Sequence, residues 1–166
     1  MLFRSNSQPW KFVVVRQKNA ELAKVAYGGN YDQVMEAPVT IALFTDTDLQ
    51  RRARKIARVG GVKNFTDEQL QYFMQNLPAE YARYNEQQIS DYLALNAGLV
   101  AMNLVLALTD QGIGSNIILG FDKSKVNEVL EIEERFRPEL LITVGYAAEK
   151  VEPSYRLPVD EIIEKR

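Results

Sequence analysis

Ser5-Asn6-Ser7-Gln8-Pro9-Trp10-Lys11-Phe12 runs directly into Val13-Val14-Val15. Asn and Gln flank one small residue, and Pro-Trp then leads into an apolar, β-branched run. The stretch reads as a polar loop clamped to the start of a strand, Lys11 to Arg16, buried on both faces. Trp10 reads as a core aromatic. Side-chain amides donate and accept at once, so Asn6 and Gln8 suit either a ligand edge or an Asx-type turn.

Composition narrows the chemistry. The chain of 166 residues is long enough for one domain with a real core. Its net charge of −2 gives no global field favouring nucleic acid or an anionic membrane. Cysteine is absent, so there is no disulfide framework and no thiolate metal site. Histidine is absent too, which excludes a Ser-His-Asp triad, a Cys-His pair and a His-ligated metal. Chemistry near neutral pH must then come from carboxylates, Lys, Tyr or a bound cofactor. The most apolar stretch, Ala97 to Leu108, is interrupted by Asn103 and reads as too short for a bilayer span. No signal peptide is visible, and a cytoplasmic protein is expected.

Further along, Lys18 to Ala26 reads as a helix ended by Gly28-Gly29. Tyr31 to Ala37 reads as a helical turn stopped by Pro38, and Val39 to Phe44 as a second strand. Asp46 to Arg58 and Asp67 to Tyr84 read as two helices separated by Gly60-Gly61 and Asn64. Ser90 is the expected N-cap of the longest helix, which runs to about Gln111 with Gly112 as its C′ residue. Apolar nearly all round, that helix is expected at the centre or between subunits. Ser115 to Leu119 and Leu140 to Tyr146 read as strands around a helix from Lys123 to Leu130. A polar tail ends in a short helix, Val159 to Lys165. Strands alternate with helices without a clean βαβ series, so the expectation is an α+β, three-layer fold. Its sheet should be mixed, mostly antiparallel, and flanked by helices.

Four blocks could carry function, each with a plainer alternative. The first is the opening loop. In the second, Asn30 and Gln33 lie at i, i+3 on one face of a turn, although Asn30 could simply cap a helix. The third, Gly112-Ile113-Gly114-Ser115-Asn116-Ile117-Ile118-Leu119-Gly120-Phe121, is not a Rossmann fingerprint. A helix precedes it and Ile117 stands where a third Gly is needed. It could be no more than a helix cap followed by a strand. The fourth is Ser154-Tyr155-Arg156-Leu157-Pro158. Two charged runs, Arg51 to Arg58 and the Glu-rich positions of Glu131 to Glu139, read as solvated surface. The first could instead attract dinucleotide phosphates. Tyr72, Phe73, Tyr81 and Tyr84 recur at helical spacing and read mostly as core.

In this order the blocks resemble the nitroreductase family, FMN-dependent NAD(P)H oxidoreductases with Ser-Ser-x-Asn-x-Gln-Pro-Trp-x-Phe, Gly-Leu-Gly-Ser-x-x-Ile-x-Gly-Phe and Lys/Ser-x-Arg-x-Pro signatures. The resemblance implies an FMN cofactor contacted by Arg4, Ser5, Asn6 and Gln8, with Asn30 and Gln33 on the pyrimidine side. Ile118, Leu119 and Gly120 would pass close to flavin N5, with main-chain atoms and an apolar wall, and Arg156 would reach the phosphate. Gln33 is neutral where many relatives have Lys, so weaker stabilisation of an anionic reduced flavin is expected. An aromatic lid over the flavin would fall near Tyr72 to Tyr84.

The resemblance further implies hydride transfer from NAD(P)H to a small acceptor such as a nitroaromatic or quinone, with no catalytic side chain. It implies a homodimer whose tail, 147–166, packs on the partner, with neither nucleic acid nor membrane as a partner. The family's N-terminal Arg-x-Ser-x-Arg helix has no counterpart in the 166 residues. A shortened version of a longer protein, leaning harder on the remaining phosphate contacts, is therefore expected. Two other classes fit the residues: a non-catalytic flavin or small-ligand module, as in a truncated paralogue, and a structural dimer domain without cofactor. The absorbance spectrum of the purified protein separates them.

Overall fold

A computed structural model describes residues 6–17, 19–62, 65–149 and 154–166. Four strands form one sheet: β1 (Trp10–Val15), β2 (Val39–Asp46), β3 (Gly114–Ile118) and β4 (Phe136–Gly145). Their order is β1-β2-β4-β3. All three pairings are antiparallel, so among the described residues no parallel pair makes the sheet mixed. A bulge between Leu43 and Phe44 shifts the β2–β4 register.

The two faces of the sheet carry different helices. On one face Val13, Val15, Ala42, Phe44, Ile118 and Leu141 pack with Leu22 and Ala23 of α1 (Asn19–Ala23), Val34 of α2 (Asn30–Glu36) and Val126 of α7 (Lys123–Leu130). On the other, Leu43, Leu140, Ile142 and Val144 pack with Ala97, Val100 and Ala101 of α6 (Glu86–Asp110). This is the expected helix–sheet–helix arrangement. It differs at β1, which is not buried on both faces, since Phe12 and Val14 are 37% and 55% exposed. The cause is topological: β1 is an edge strand, and α6 packs over β2 and β3.

A third cluster joins α3 (Leu49–Val62), the wide π-type turn (Tyr72–Asn76) that follows α4 (Asp67–Gln71), and α5 (Leu77–Tyr81) to the first half of α6. Leu49, Ala53, Ala57, Phe73, Leu77, Tyr81 and Leu93 are its buried residues. Two expectations change here. Gly60-Gly61 does not end α3, because Gly60 is buried under the Phe65 ring, where a Cβ would collide. The helix read as Asp67 to Tyr84 is interrupted by the wide turn and ends at Tyr81.

The N-cap of α6 is Asn85, not Ser90. The Asn85 side chain accepts from Gln88 N at 2.8 Å, and Gln88 Oε1 accepts from Asn85 N at 2.9 Å. This reciprocal pair is a capping box, and it starts the helix one turn earlier than expected. Gly112, with φ of 72°, follows the helix as expected. The stretch Ala97 to Leu108 lies within α6, which at 25 residues is long and apolar enough to cross a membrane by length and composition alone. One face of it lies on the sheet. Leu95, Leu99, Met102 and Leu106, spaced by four, three and four, remain 48–64% exposed.

The acidic segment also changes character. Glu139 is 6% exposed and not solvated surface. Its carboxylate accepts from Thr45 Oγ1 at 2.5 Å and from Arg137 Nε at 2.8 Å. Arg137 reaches on to Ser90 of α6, donating to Oγ at 2.8 Å and to the carbonyl at 3.1 Å. Strand β4, strand β2 and helix α6 are thus tied by one buried polar cluster.

Candidate functional site

The amide side chains fall into two groups at opposite edges of the sheet. The first group is the loop ahead of β1. Asn6 and Gln8 both have left-handed backbone, φ of 44° and 43°. Such φ is uncommon outside glycine and costs on the order of 1 kcal/mol, so neighbours must hold it. Ser7 between them is fully buried, its Oγ 2.5 Å from the Tyr92 hydroxyl. Pro9 O accepts from Asp46 N at 2.6 Å. Arg52 of α3 donates to Gln8 O and, at 3.3 Å, to Trp10 O. Gln8 Nε2 donates to Asn6 Oδ1 at 3.0 Å.

Beside this loop is a cleft of about 540 Å³ lined by Asn6, Gln8, Arg52, Lys55 and Phe65 among others. Arg52 is therefore not on a solvated face, as the run Arg51 to Arg58 suggested, although its neighbours Arg51, Arg54, Lys55 and Arg58 are exposed. Burial lowers the pKa of Arg52, and the Asp46 carboxylate opposes that shift.

The second group gathers where α2 meets the end of β3. Asn30 does not cap α2: Gly29 holds the cap position, and Asn30 Nδ2 instead donates to Gly120 O at 3.0 Å. Gly120 O also accepts from Tyr27 N at 2.9 Å. A Cβ on Gly120 would lie 2.6 Å from Asn30 Nδ2, so the close approach needs a bare backbone. One turn along α2, Gln33 Oε1 accepts from Asn116 Nδ2 at 2.5 Å. A neighbouring cleft of about 550 Å³ is lined by Gln33, Pro38, Asn116 and Gly145 among others.

Ile118 is 2% exposed and its side chain belongs to the core, so only its main chain can face a ligand. Leu119 is 66% exposed and can supply the apolar wall. Asn116, Arg52, Ser7 and Tyr92 were missed by sequence reasoning. Asn116 carried a signal, as a polar residue inside the strand of the third block.

These two groups do not form one cradle within the chain. The loop precedes β1 and the Asn30–Gly120 group follows β3, with β2 and β4 between them. At ordinary strand spacing that separation is about 14 Å. Arg156 joins neither group. Its Nη1 donates to Ser154 Oγ at 2.5 Å and to Tyr155 O at 3.0 Å, in a tail exposed throughout residues 154–166. Arg4 and Ser5 lie outside the described residues.

The donor set nevertheless fits FMN. Five amide side chains offer both donors and acceptors, as a pyrimidine edge and ribityl hydroxyls require. Gly120 opens the backbone beside them, and one exposed arginine can take a phosphate. Among the described residues no cluster of acidic side chains could hold a metal ion.

Comparison with known proteins is consistent throughout. The Nitroreductase family model matches residues 3–146. "Putative NAD(P)H nitroreductase Spy0809" of Streptococcus pyogenes serotype M6 is 63% identical over 162 residues, covering 98% of this chain and 80% of that protein. A crystal structure of a nitroreductase family protein from Streptococcus pneumoniae TIGR4 is 86% identical with a TM-score of 0.96, covering 98% of this chain and 82% of the other. "A putative nitroreductase in complex with FMN" from Exiguobacterium sibiricum 255-15 is 27% identical with a TM-score of 0.87, covering 97% and 78%.

Proposed function

Since the chain belongs to the nitroreductase family, we propose that it is an NAD(P)H-dependent, FMN-binding oxidoreductase whose electrons pass to a small acceptor such as a nitroaromatic or quinone. The observation that carries this is the Asn30–Gly120 contact beside the Gln33–Asn116 pair. When bound, FMN supplies the hydride and electron chemistry. The chain's own residues bind and orient. Asn30 Nδ2 is engaged with a carbonyl, which leaves Oδ1 as the acceptor for a ring N–H. Gln33 and Asn116 present a second amide pair one helical turn away. The Gly120 backbone permits close approach, and Leu119 shields the site from water. Gln33 places no cation at this edge, so an anionic reduced ring would be stabilised less than by a lysine.

The active form is proposed to be a homodimer. Two half-sites on opposite sheet edges become whole if the Asn6–Gln8 loop of one protomer meets the Asn30–Gly120 group of its partner. The exposed stripe of α6 and the fully exposed tail, with Tyr155 81% and Ile162 66% exposed, offer the apolar surface such a pairing would bury. The tail would then pack on the partner and bring Arg156 to the phosphate.

The direct test is the spectrum of purified protein with NAD(P)H consumption in the presence of a quinone. Yellow protein with turnover supports the enzyme, yellow protein without turnover supports a binding module, and colourless protein that FMN cannot reconstitute refutes both. Asn30→Ala is expected to weaken FMN about fivefold to tenfold while thermal stability changes little. Unchanged affinity would reduce Asn30 to a structural bond. Arg156→Ala is expected to weaken FMN about tenfold and to spare riboflavin, which has no phosphate. Equal losses for both ligands would remove Arg156 from the phosphate site.

A further inference from the structure

We propose that Tyr92 is a positioning residue: its hydroxyl holds Ser7 inward and so presents Asn6 and Gln8 outward to the flavin. This rests on the reading of that loop as half of an FMN site. Ser7 is fully buried while Gln8, next to it, is exposed, so the chain alternates inward and outward across three residues. Both flanking residues are left-handed, a conformation local sequence does not favour for Gln. The Ser7 side chain makes its bond, at 2.5 Å, to the Tyr92 hydroxyl, 85 residues away in sequence.

The anchor is itself well supported. Tyr92 lies in the second turn of α6, just inside the Asn85–Gln88 capping box. Its hydroxyl is also 3.2 Å from that of Tyr81, which is 4% exposed. The rings of Tyr81, Tyr84 and Tyr92 meet at centroid distances of 5.7–6.3 Å, which fixes where the Tyr92 hydroxyl points. Burial raises the pKa of Tyr81, and its bond to Tyr92 raises it further. The Tyr92 hydroxyl meets the hydroxyls of both Ser7 and Tyr81, and so links the opening loop to a long helix. A site held within tenths of an ångström needs such support behind the residues that touch the ligand.

The test uses the full chain. Tyr92→Phe keeps the ring and removes only the hydroxyl. Its FMN dissociation constant is expected to rise about tenfold, with amide hydrogen exchange of residues 6–8 and 10 in the flavin-free protein accelerated and exchange in α6 unchanged. Ser7→Ala should do the same, and the double variant should be no worse than either single one, because both remove one bond. Tyr81→Phe keeps the short Ser7–Tyr92 bond and should accelerate loop exchange less than Tyr92→Phe does. Unchanged affinity and loop exchange in Tyr92→Phe would overturn the proposal, as would losses in the two singles that multiply in the double. A general rise in exchange across α5 and α6 would also overturn it, by showing a merely structural role. If the wild-type protein binds no FMN, the functional reading fails by itself, and flavin-free loop exchange still decides whether Tyr92 positions the loop.

Discussion

Leu99→Glu is expected to make the protein a monomer at micromolar concentration and to weaken FMN at least a hundredfold. Leu99 is 48% exposed in the middle of the α6 stripe, between Leu95 and Met102. If that stripe is the seam between protomers, a twofold axis brings two new carboxylates into it. Desolvating each unpaired charge costs several kcal/mol, whereas a hundredfold change in affinity corresponds to only about 2.7 kcal/mol. The monomer should remain folded, because Leu99 contributes nothing to the sheet-facing core of Ala97, Val100 and Ala101. Light scattering together with FMN titration checks both halves. A dimer with wild-type FMN affinity would return the stripe to solvent and dissolve the shared-site reading. A dimer lost with FMN affinity intact would show that one protomer suffices.

Glu139→Ala is expected to cost about 3 kcal/mol of folding stability, the low end for breaking a buried ion pair because the Arg137 side chain stays 30% exposed. That corresponds to a fall in melting temperature of roughly 6–12 °C for a chain of this size. The loss has three sources: the pairing with Arg137 at 2.7 Å, the acceptor for Thr45 at 2.5 Å, and the aim of Arg137 toward Ser90. Glu139→Gln keeps an acceptor for Thr45 and should recover part of it. Thermal and urea unfolding of the two variants measure this. A change below about 1 kcal/mol in Glu139→Ala would show that water replaces the carboxylate and that the cluster contributes little.

Much of the architecture was legible because local signals and tertiary packing agree. Lys123 to Leu130 came out at its observed bounds, with Asp122 capping it. The edges of β2 and β4 extended beyond expectation, since polar Thr45, Asp46 and Arg137 are strand residues with partners close by: Thr45 and Arg137 meet Glu139 of β4, and Asp46 meets Arg135 just ahead of it. The capping box at Asn85 and Gln88 was readable and was passed over for Ser90. Gly60-Gly61 misled because a helix can keep its glycines when a ring such as Phe65 takes the space of a side chain.

At the site, the amide residues were legible as chemistry but not as geometry. Nothing in the order of Asn6, Gln8, Asn30 and Gln33 says that β2 and β4 come between them, because strand order is not written in sequence order. Arg52 and Tyr92 were illegible for the same reason. A basic residue in a basic run and a tyrosine on a helix gain their roles only from the loop folded against them.

The wide turn at Tyr72–Asn76 sets an angle that later residues inherit. In an α-helix each step of four residues advances about 40° beyond a full turn. Phe73, Leu77 and Tyr81 would therefore spiral apart by about 80° over two steps. An arc of that width still fits one apolar stripe, and all three lie in one buried cluster. The last of them is the tyrosine whose hydroxyl meets Tyr92. A stripe that begins in the wide turn thus ends at the hydroxyl row behind the Asn6–Gln8 loop.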